Sequence, residues 1–250
     1  MSITARASAH RGDVKLAPES TVPAVRLAWE KGAHQIEFDV QMSSDGRLVC
    51  IHDDSVDRTS NGTGRISDLT FDEIRSLDAG GWKSAEHAGA QIPTFRELLE
   101  AAPPPVLLNV HLREIPGLIP KLVEEIVAMD RVEQCVLAAS EAQMRESRKL
   151  CPELRICNME GQGPAASDYI NRTIALGAEF IQVWGWHDTM PDACRRLHDA
   201  GVTINYFGTE DPVEMRRLAE AGVDYILSDD LDTLLAVLSE YGVEPLETGG

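Results

Sequence analysis

The 250-residue sequence predicts a single α/β domain, an eight-stranded parallel barrel of the (β/α)8, or TIM, class. Length is the first reason, because barrels of this class commonly occupy about 250 residues as one unit. The second reason is the alternation of short apolar runs with amphipathic helical patterns, which is typical of parallel strands joined by right-handed crossovers. The third is the glycine that follows several helical patterns, where a left-handed cap ends a helix: Gly32, Gly177, Gly201 and Gly222.

Nine segments have the composition of strands, one more than the barrel requires. In chain order they are residues 8–10, 35–40, 48–51, 106–112, 135–139, 154–158, 180–184, 202–207 and 225–227. The helical patterns between and after them cover residues 21–31, 94–101, 119–129, 142–150, 167–176, 191–200, 213–221 and 231–241. An open, doubly wound sheet is the alternative architecture, but the sequence has no glycine-rich phosphate loop of the nucleotide-binding kinds.

A turn explains the surplus strand. Ser43-Ser44-Asp45-Gly46 lies between two strand-like runs and is typical of a hairpin. We therefore expect residues 48–51 to pair antiparallel with the second strand. Residues 53–91 are rich in Gly, Ser, Asp and Thr, which predicts a small inserted subdomain before the barrel resumes.

The composition narrows the classes of function. The 43% hydrophobic and 26% charged residues are typical of a globular protein and exclude a disordered chain. A net charge of −18 opposes binding to nucleic acid and stable association with anionic membranes, so a small molecule is the expected partner. The five cysteines are scattered, which excludes a disulfide framework, and with no signal peptide or apolar span we expect a cytoplasmic location. The patterns favour no particular oligomeric state.

The candidate site lies where a barrel places its chemistry, at the C-terminal ends of the strands. The first strand ends in His10 and Arg11, and the second carries Glu37 and Asp39. Residues two apart on a strand point to the same face, so both carboxylates are expected inside the barrel, where they would repel each other. A divalent cation relieves that repulsion. A structural ion pair with Arg or Lys is the alternative, but it would leave the second carboxylate without a partner.

A second histidine, His52, leaves the end of the hairpin strand. One neutral and one protonated imidazole can serve as general base and general acid for phosphoryl chemistry, which makes His10 and His52 the candidate pair. Arg11 is the candidate phosphate ligand. In the segment 109–113, alternate residues share a face, so Arg113 is expected to add a second cation to the same cavity.

Several short motifs follow one another in order along the first half of the chain. They are His10-Arg11-Gly12, Pro18-Glu19-Ser20-Thr21, Glu37-Phe38-Asp39-Val40-Gln41, Asp45-Gly46, His52-Asp53, Arg58-Thr59, Gly62-x-Gly64 and Ile92-Pro93-Thr94-Phe95. This ordered set resembles the glycerophosphodiester phosphodiesterase family. The resemblance is dense over residues 8–114 and looser beyond, where Gly222 to Asp229 is similar to the closing strand of the family.

The resemblance implies a metal-dependent TIM-barrel enzyme that hydrolyses glycerophosphodiesters to sn-glycerol 3-phosphate and an alcohol. It implies that His10 and His52 are the acid and base, and that Arg11 binds phosphate. Glu37 and Asp39 would hold the divalent ion, commonly Mg²⁺ or Ca²⁺. It is also compatible with initial attack by the neighbouring glycerol hydroxyl, which gives a cyclic intermediate that water then opens.

The sequence departs from the family at the metal. The family usually carries Glu-x-Lys on the third barrel strand, and here that register reads His111-x-Arg113. The predicted metal ligands are therefore Glu37, Asp39 and His111, and the imidazole makes Mn²⁺, Co²⁺ or Zn²⁺ possible. An equal expectation is that His111 bonds to a carboxylate while water takes the third position. The family's aromatic-rich segment is also altered, to residues 204–208, which leaves the preferred alcohol open.

Two tryptophans near a strand end are further candidate residues. Trp184 and Trp186 flank a strand end; Trp184 is predicted to contact substrate, and one of the pair is expected to pack in the core.

Two other functions are possible for the predicted site. The same site residues suit a related phosphodiesterase or lyase acting on lysophospholipids or sugar phosphodiesters. They also suit a non-catalytic phosphodiester-binding relative, which the presence of both histidines, Arg11 and the carboxylate pair disfavours.

Overall fold

The computed structural model describes residues 3–163 and 167–247. Its strands are β1 (Arg6–His10), β2 (Gln35–Met42), β3 (Leu48–Cys50), β4 (Leu107–Leu112), β5 (Cys135–Ala139), β6 (Arg155–Asn158), β7 (Phe180–Val183), β8 (Thr203–Phe207) and β9 (Tyr225–Ser228). All except β3 are parallel, and β1 pairs with both β2 and β9, which closes the sheet. The predicted eight-stranded parallel barrel is confirmed, and the open sheet is excluded.

The helices pack around the outside of the barrel. They are α1 (Val22–Glu30), α2 (Phe71–Arg75), α3 (Phe95–Ala101), α4 (Leu118–Ala128), α5 (Glu141–Leu150), α6 (Ser167–Leu176), α7 (Met190–Asp199), α8 (Pro212–Ala221) and α9 (Leu231–Ser239). Local sequence sets where several of them begin: Thr94 and Glu97 cap α3 reciprocally, as a capping box does. Among the described residues, no helix has the length and apolar character needed to cross a membrane.

The hairpin after β2 has the expected antiparallel pairing, with Val40 opposite Cys50 and Met42 opposite Leu48. Residues 53–91 follow it and contain α2, which is too short to show a helical periodicity in the sequence. This segment packs on a small apolar cluster distinct from the main core: Val49, Ile51, Val56, Ile66, Ile74, Ala79 and Ile92. The cluster includes residues of the hairpin strand, so it fastens the insertion to the barrel beside the strand that leads to His52.

The barrel interior combines an apolar cluster with buried polar groups. The apolar cluster consists of Leu107, Val136, Ala138, Cys157, Phe180 and Tyr225. Buried polar side chains also point inward; Asn109 Nδ2, for example, donates to Gln182 Oε1 at 3.1 Å. The pairing of β2 with β4 places Glu37 opposite Asn109 and Asp39 opposite His111. The strands therefore deliver their charged groups to the C-terminal end of the barrel.

The turn after β1 depends on Gly12. Its φ is +88°, and a Cβ built there would lie 2.6 Å from the carbonyl carbon of Ala24 and 2.8 Å from its oxygen. Both the left-handed backbone and the close approach of α1 therefore require glycine. This turn directly follows His10 and Arg11, so its shape fixes where those two side chains leave the strand.

Replacing Gly12 by Ala should lower the free energy of unfolding by about 2–5 kcal/mol, because left-handed strain and overlap with α1 add. Gly201 is the matched control: its φ is +74° but an added Cβ meets no atom within 4 Å. Gly201→Ala should therefore cost only about 1–2 kcal/mol. Urea denaturation of both variants checks this, and equal losses would show that contact with α1 is not the reason for glycine at position 12.

Candidate active site

The C-terminal end of the barrel holds a cleft of ≈ 580 Å³. Strand ends and the loops after them converge there, as the parallel topology requires. Seven of the eight predicted site residues line it, and Arg113 is the exception. The seven are His10, Arg11, Glu37, Asp39, His52, His111 and Trp184.

Glu37, Asp39 and His111 form a cluster able to hold a metal ion. His111 Nδ1 lies 3.8 Å from Glu37 Oε1 and 3.6 Å from Asp39 Oδ1. One potential ligand atom from each residue lies within 4.8 Å of the other two. Both carboxylates are buried, with 3% and 1% of the residue exposed, and neither Asp39 oxygen accepts a hydrogen bond from the described residues. Such orphaned carboxylate oxygens suit a divalent cation.

The two carboxylates differ electrostatically. Burial, reinforced by the charge of Glu37, raises the pKa of Asp39. Burial acts in the same direction on Glu37, but His111 and the charge of His10 outweigh it and lower the pKa of that carboxyl. The two carboxyls are therefore shifted in opposite directions by their surroundings. A bound cation would favour ionisation of both.

Arg113 lies beside Asp39 but does not itself line the cleft. Its guanidinium is 3.0 Å from Asp39 Oδ1, without the angle of a hydrogen bond, and it donates to the carbonyl oxygen of His52. Because β4 ends at Leu112, strand alternation no longer fixes the direction of this side chain. Contact between Arg113 and substrate stays a prediction. Arg113 holds the His52 loop, together with Gln41, whose Nε2 donates to the carbonyl of Asp53 at 2.6 Å.

His10 is held in one orientation. Its Nδ1 lies 2.6 Å from Asp229 Oδ1, at the end of β9, and its Nε2 faces Glu37 Oε2 at 3.9 Å. The edge of Phe207 packs against its ring, with centroids 5.1 Å apart. Burial lowers the pKa of His10, but the hydrogen bond to Asp229 and the charge of Glu37 outweigh burial, so the pKa is raised. The structure places Asp229 in direct contact with a predicted catalytic group.

His52 belongs to a chain of charged hydrogen bonds that ends at Arg11. Its Nδ1 lies 2.7 Å from Asp53 Oδ1, and Arg58 Nε donates to the other oxygen of Asp53 at 2.7 Å. Arg58 also donates to both oxygens of Glu19, which in turn accepts from Arg11 at 2.7 Å. The hydrogen bonds from Arg58 hold the pKa of Asp53 well below its usual range. Glu19 and Arg58 belong to two of the ordered motifs, but nothing in those motifs indicates that the two residues pair.

Arg11 adopts an unusual backbone conformation above the carboxylates. Its φ is +57°, which is uncommon for a residue with a side chain and is retained where surrounding contacts stabilise it. Its backbone N–H donates to Glu37 Oε2 at 3.3 Å, and its guanidinium Nε lies 3.9 Å from Asp39 Oδ2. That Nε is buried without a hydrogen-bond partner among the described residues. One edge of the guanidinium group is held by Glu19, and Nε on the other edge has no acceptor among the described residues.

At the other end of the cleft, Trp184 was predicted from the sequence but Glu214 was not. Trp184 and Phe207 are 45% and 37% exposed there, and Glu214 contributes a carboxylate. The two tryptophans differ as expected for one pocket residue and one core residue. Trp186 packs against the main core, and Arg217 covers its ring at 4.1 Å. Glu214 lies on a helix, so the pattern of polar residues at strand ends does not point to it. It reaches the site only through the folding of the chain.

Comparisons with known proteins agree with this geometry. Residues 10–117 match the glycerophosphoryl diester phosphodiesterase family model. A glycerophosphodiester phosphodiesterase of Caldanaerobacter subterraneus subsp. tengcongensis is 33% identical over 94% of this chain and 98% of its own. A solved glycerophosphodiester phosphodiesterase from Agrobacterium tumefaciens has a TM-score of 0.78 at 28% identity, over 93% of this chain and 99% of that one. An Oleispira antarctica phosphodiesterase, solved with its product sn-glycerol-3-phosphate, has a TM-score of 0.81 at 25% identity, over 94% and 96%.

Replacing Asp229 by Asn should lower the pKa of His10, because the variant keeps a polar partner but removes the negative charge that favours the imidazolium. Proton NMR titration of the imidazole signals in EDTA measures this directly. Asp53→Asn is the matched control, since Asp53 contacts His52 and should leave the His10 titration unchanged. An unaltered His10 titration in Asp229→Asn would contradict the assigned role of Asp229.

Proposed function

Because the chain belongs to the glycerophosphodiester phosphodiesterase family, we propose that it hydrolyses glycerophosphodiesters to sn-glycerol 3-phosphate and an alcohol. The observation that carries the proposal is the meeting, in one cleft, of two histidines, an arginine and a buried carboxylate–histidine cluster. A phosphodiester needs these groups: positive charge around its oxygens, a proton acceptor for the nucleophile and a proton donor for the leaving group.

Glu37, Asp39 and His111 are the residues that would hold a divalent ion. The fit rests on their close approach and on the unpartnered oxygens of the buried Asp39. When bound, the ion supplies positive charge to the phosphoryl oxygens. Mg²⁺ or Ca²⁺ matches the family, whereas the His111 imidazole also suits Mn²⁺, Co²⁺ or Zn²⁺.

Arg11 is the proposed phosphate ligand. Its guanidinium is fixed on one edge by Glu19, so little side-chain freedom remains to be lost when a phosphate binds. The buried Nε needs an acceptor, and a phosphoryl oxygen beside the carboxylate cluster provides one. Arg11 thus orients the diester and stabilises the charge that develops on it during the reaction.

His10 and His52 are the proposed proton donor and acceptor. Each is oriented through Nδ1 by a carboxylate, Asp229 or Asp53, which leaves Nε2 for proton transfer. The raised pKa of His10 favours it as the protonated partner, which gives its proton to the alcohol oxygen as the P–O bond breaks. His52 accepts the proton of the attacking oxygen, that of water or of the neighbouring glycerol hydroxyl, as this oxygen forms its bond to phosphorus.

Release of glycerol 3-phosphate from glycerophosphodiesters, with and without added Mg²⁺, Ca²⁺ or Mn²⁺, tests the function. We expect His10→Ala and His52→Ala each to lower turnover by about 10²-fold or more. The double variant should lose far less than the product of the two, because the histidines act as a unit. His87→Ala, which changes a half-buried histidine that does not line the cleft, should keep wild-type turnover.

No release by the wild-type protein with any ion would overturn the proposed function. Near-normal turnover by His52→Ala would instead show that only the assignment of His52 is wrong. Phosphorus NMR of the products separates hydrolysis from a cyclising lyase reaction, because a lyase would accumulate the cyclic diester.

Replacing His111 by Glu restores the carboxylate that the family usually carries. We expect Mg²⁺ or Ca²⁺ to bind about tenfold or more tightly, since an added negative charge a few ångströms from the ion contributes more than about 1 kcal/mol even at a high effective dielectric. Calorimetric titration measures this, with His111→Gln as the uncharged control. Unchanged affinity in His111→Glu would contradict a position for residue 111 beside the ion.

A further inference from the structure

The cleft continues past His10 to a second end, here called the distal end, formed by Trp184, Tyr206, Phe207 and Glu214. It adjoins the reacting groups directly, because Phe207 packs edge-on against the His10 ring at 5.1 Å. Trp184, just after β7, and Phe207, at the end of β8, are 45% and 37% exposed although both strands are mostly buried. Two large aromatic side chains therefore border the opening of the cleft with ring surface available to a ligand.

The carboxylate of the distal end is held in place. Tyr206 is 1% exposed, and its hydroxyl donates to Glu214 Oε1 at 2.7 Å. Among the described residues, no lysine, arginine or histidine forms an ion pair with Glu214. Arg217, one turn further along α8, stacks on Trp186 instead. The negative charge of Glu214 thus faces the cleft without compensation from a neighbouring side chain.

The cleft is therefore polarised. The end near Glu37 and Asp39 carries Arg11, two histidines and the cluster able to hold a cation, which suits the negative charge of a phosphodiester. The distal end carries one fixed carboxylate among aromatic rings. Cations are attracted both to such a carboxylate and to the faces of aromatic rings, and a partly enclosed carboxylate gains most from a charged partner.

We propose that the distal end binds a positively charged group on the alcohol part of the substrate, so that the preferred substrates are glycerophosphodiesters of amino or quaternary ammonium alcohols. This inference rests on the proposed function and names its substrate class. Such substrates are zwitterions with no net charge, whereas diesters of neutral alcohols are anions. The protein's own net charge of −18 repels anions and acts in the same direction.

The test compares kcat/KM for four probes: glycerophosphocholine and glycerophosphoethanolamine, with cationic alcohols, and glycerophosphoglycerol and glycerophosphoinositol, with neutral ones. Wild type should prefer the first two. Glu214→Gln keeps the shape of the side chain and removes its charge, so it should lower kcat/KM about 5- to 30-fold for the cationic pair and leave the neutral pair nearly unchanged. Trp184→Leu should lower kcat/KM chiefly for glycerophosphocholine, whose quaternary ammonium interacts with aromatic faces.

Glu220→Gln is the matched control. Glu220 lies on the same helix and also accepts a hydrogen bond from a tyrosine hydroxyl, that of Tyr241 at 2.8 Å, but it does not line the cleft. The control therefore makes the same change of charge and hydrogen bonding at a distance from the site. It should leave the preference between cationic and neutral alcohols at its wild-type value.

An equal loss for all four probes in Glu214→Gln would overturn the inference, because it would place the common glycerol part at the distal end. An unchanged preference in Glu214→Gln would overturn it as well. Either result leaves the proposed function intact, since the wild-type protein still turns over the probes. Absence of wild-type turnover on every probe would overturn the proposed function and this inference with it.

Discussion

Two carboxylates buried side by side on one strand are the constraint on which the rest of the site depends. Glu37 and Asp39 point into a closed barrel, where like charges cost several kcal/mol unless they are compensated. Compensation comes from both neighbouring strands. The segment after β1 contributes the Arg11 backbone N–H and His10, and β4 with its following loop contributes His111 and Arg113. His10, Arg11 and His111, which have proposed roles in the reaction or in metal binding, thus also stabilise the carboxylate pair.

The barrel and the insertion position different parts of the site. The barrel strands position the carboxylates and His10 through a rigid hydrogen-bonded register. His52 stands on a loop, and its place is set by contacts that join different parts of the chain. Arg58 of the insertion binds both Asp53 and Glu19, so the insertion is fastened to the loop after β1 at the site itself. The small apolar cluster under the insertion supports this arrangement from outside the barrel.

Regular periodicity made much of this predictable. Alternation along β2 placed Glu37 and Asp39 on one inward face, and the hairpin turn explained the ninth strand. The same rule is weaker for Arg113, because that residue lies one position beyond the end of β4 and does not itself line the cleft. The pairing of Arg58 with Glu19 joins residues 39 positions apart through loops, and the contact between Tyr206 and Glu214 joins a strand to a helix. Neither contact has a local sequence pattern, so neither could be predicted from the sequence.

The apolar cluster inside the barrel has a consequence for how substrate and products exchange. Leu107, Phe180 and Tyr225 are buried in it, whereas Trp184 and Phe207 are exposed at the cleft. The carboxylates are buried, and the aromatic rings border the opening. Substrate and both products of the proposed reaction therefore exchange with solvent at the C-terminal end of the barrel.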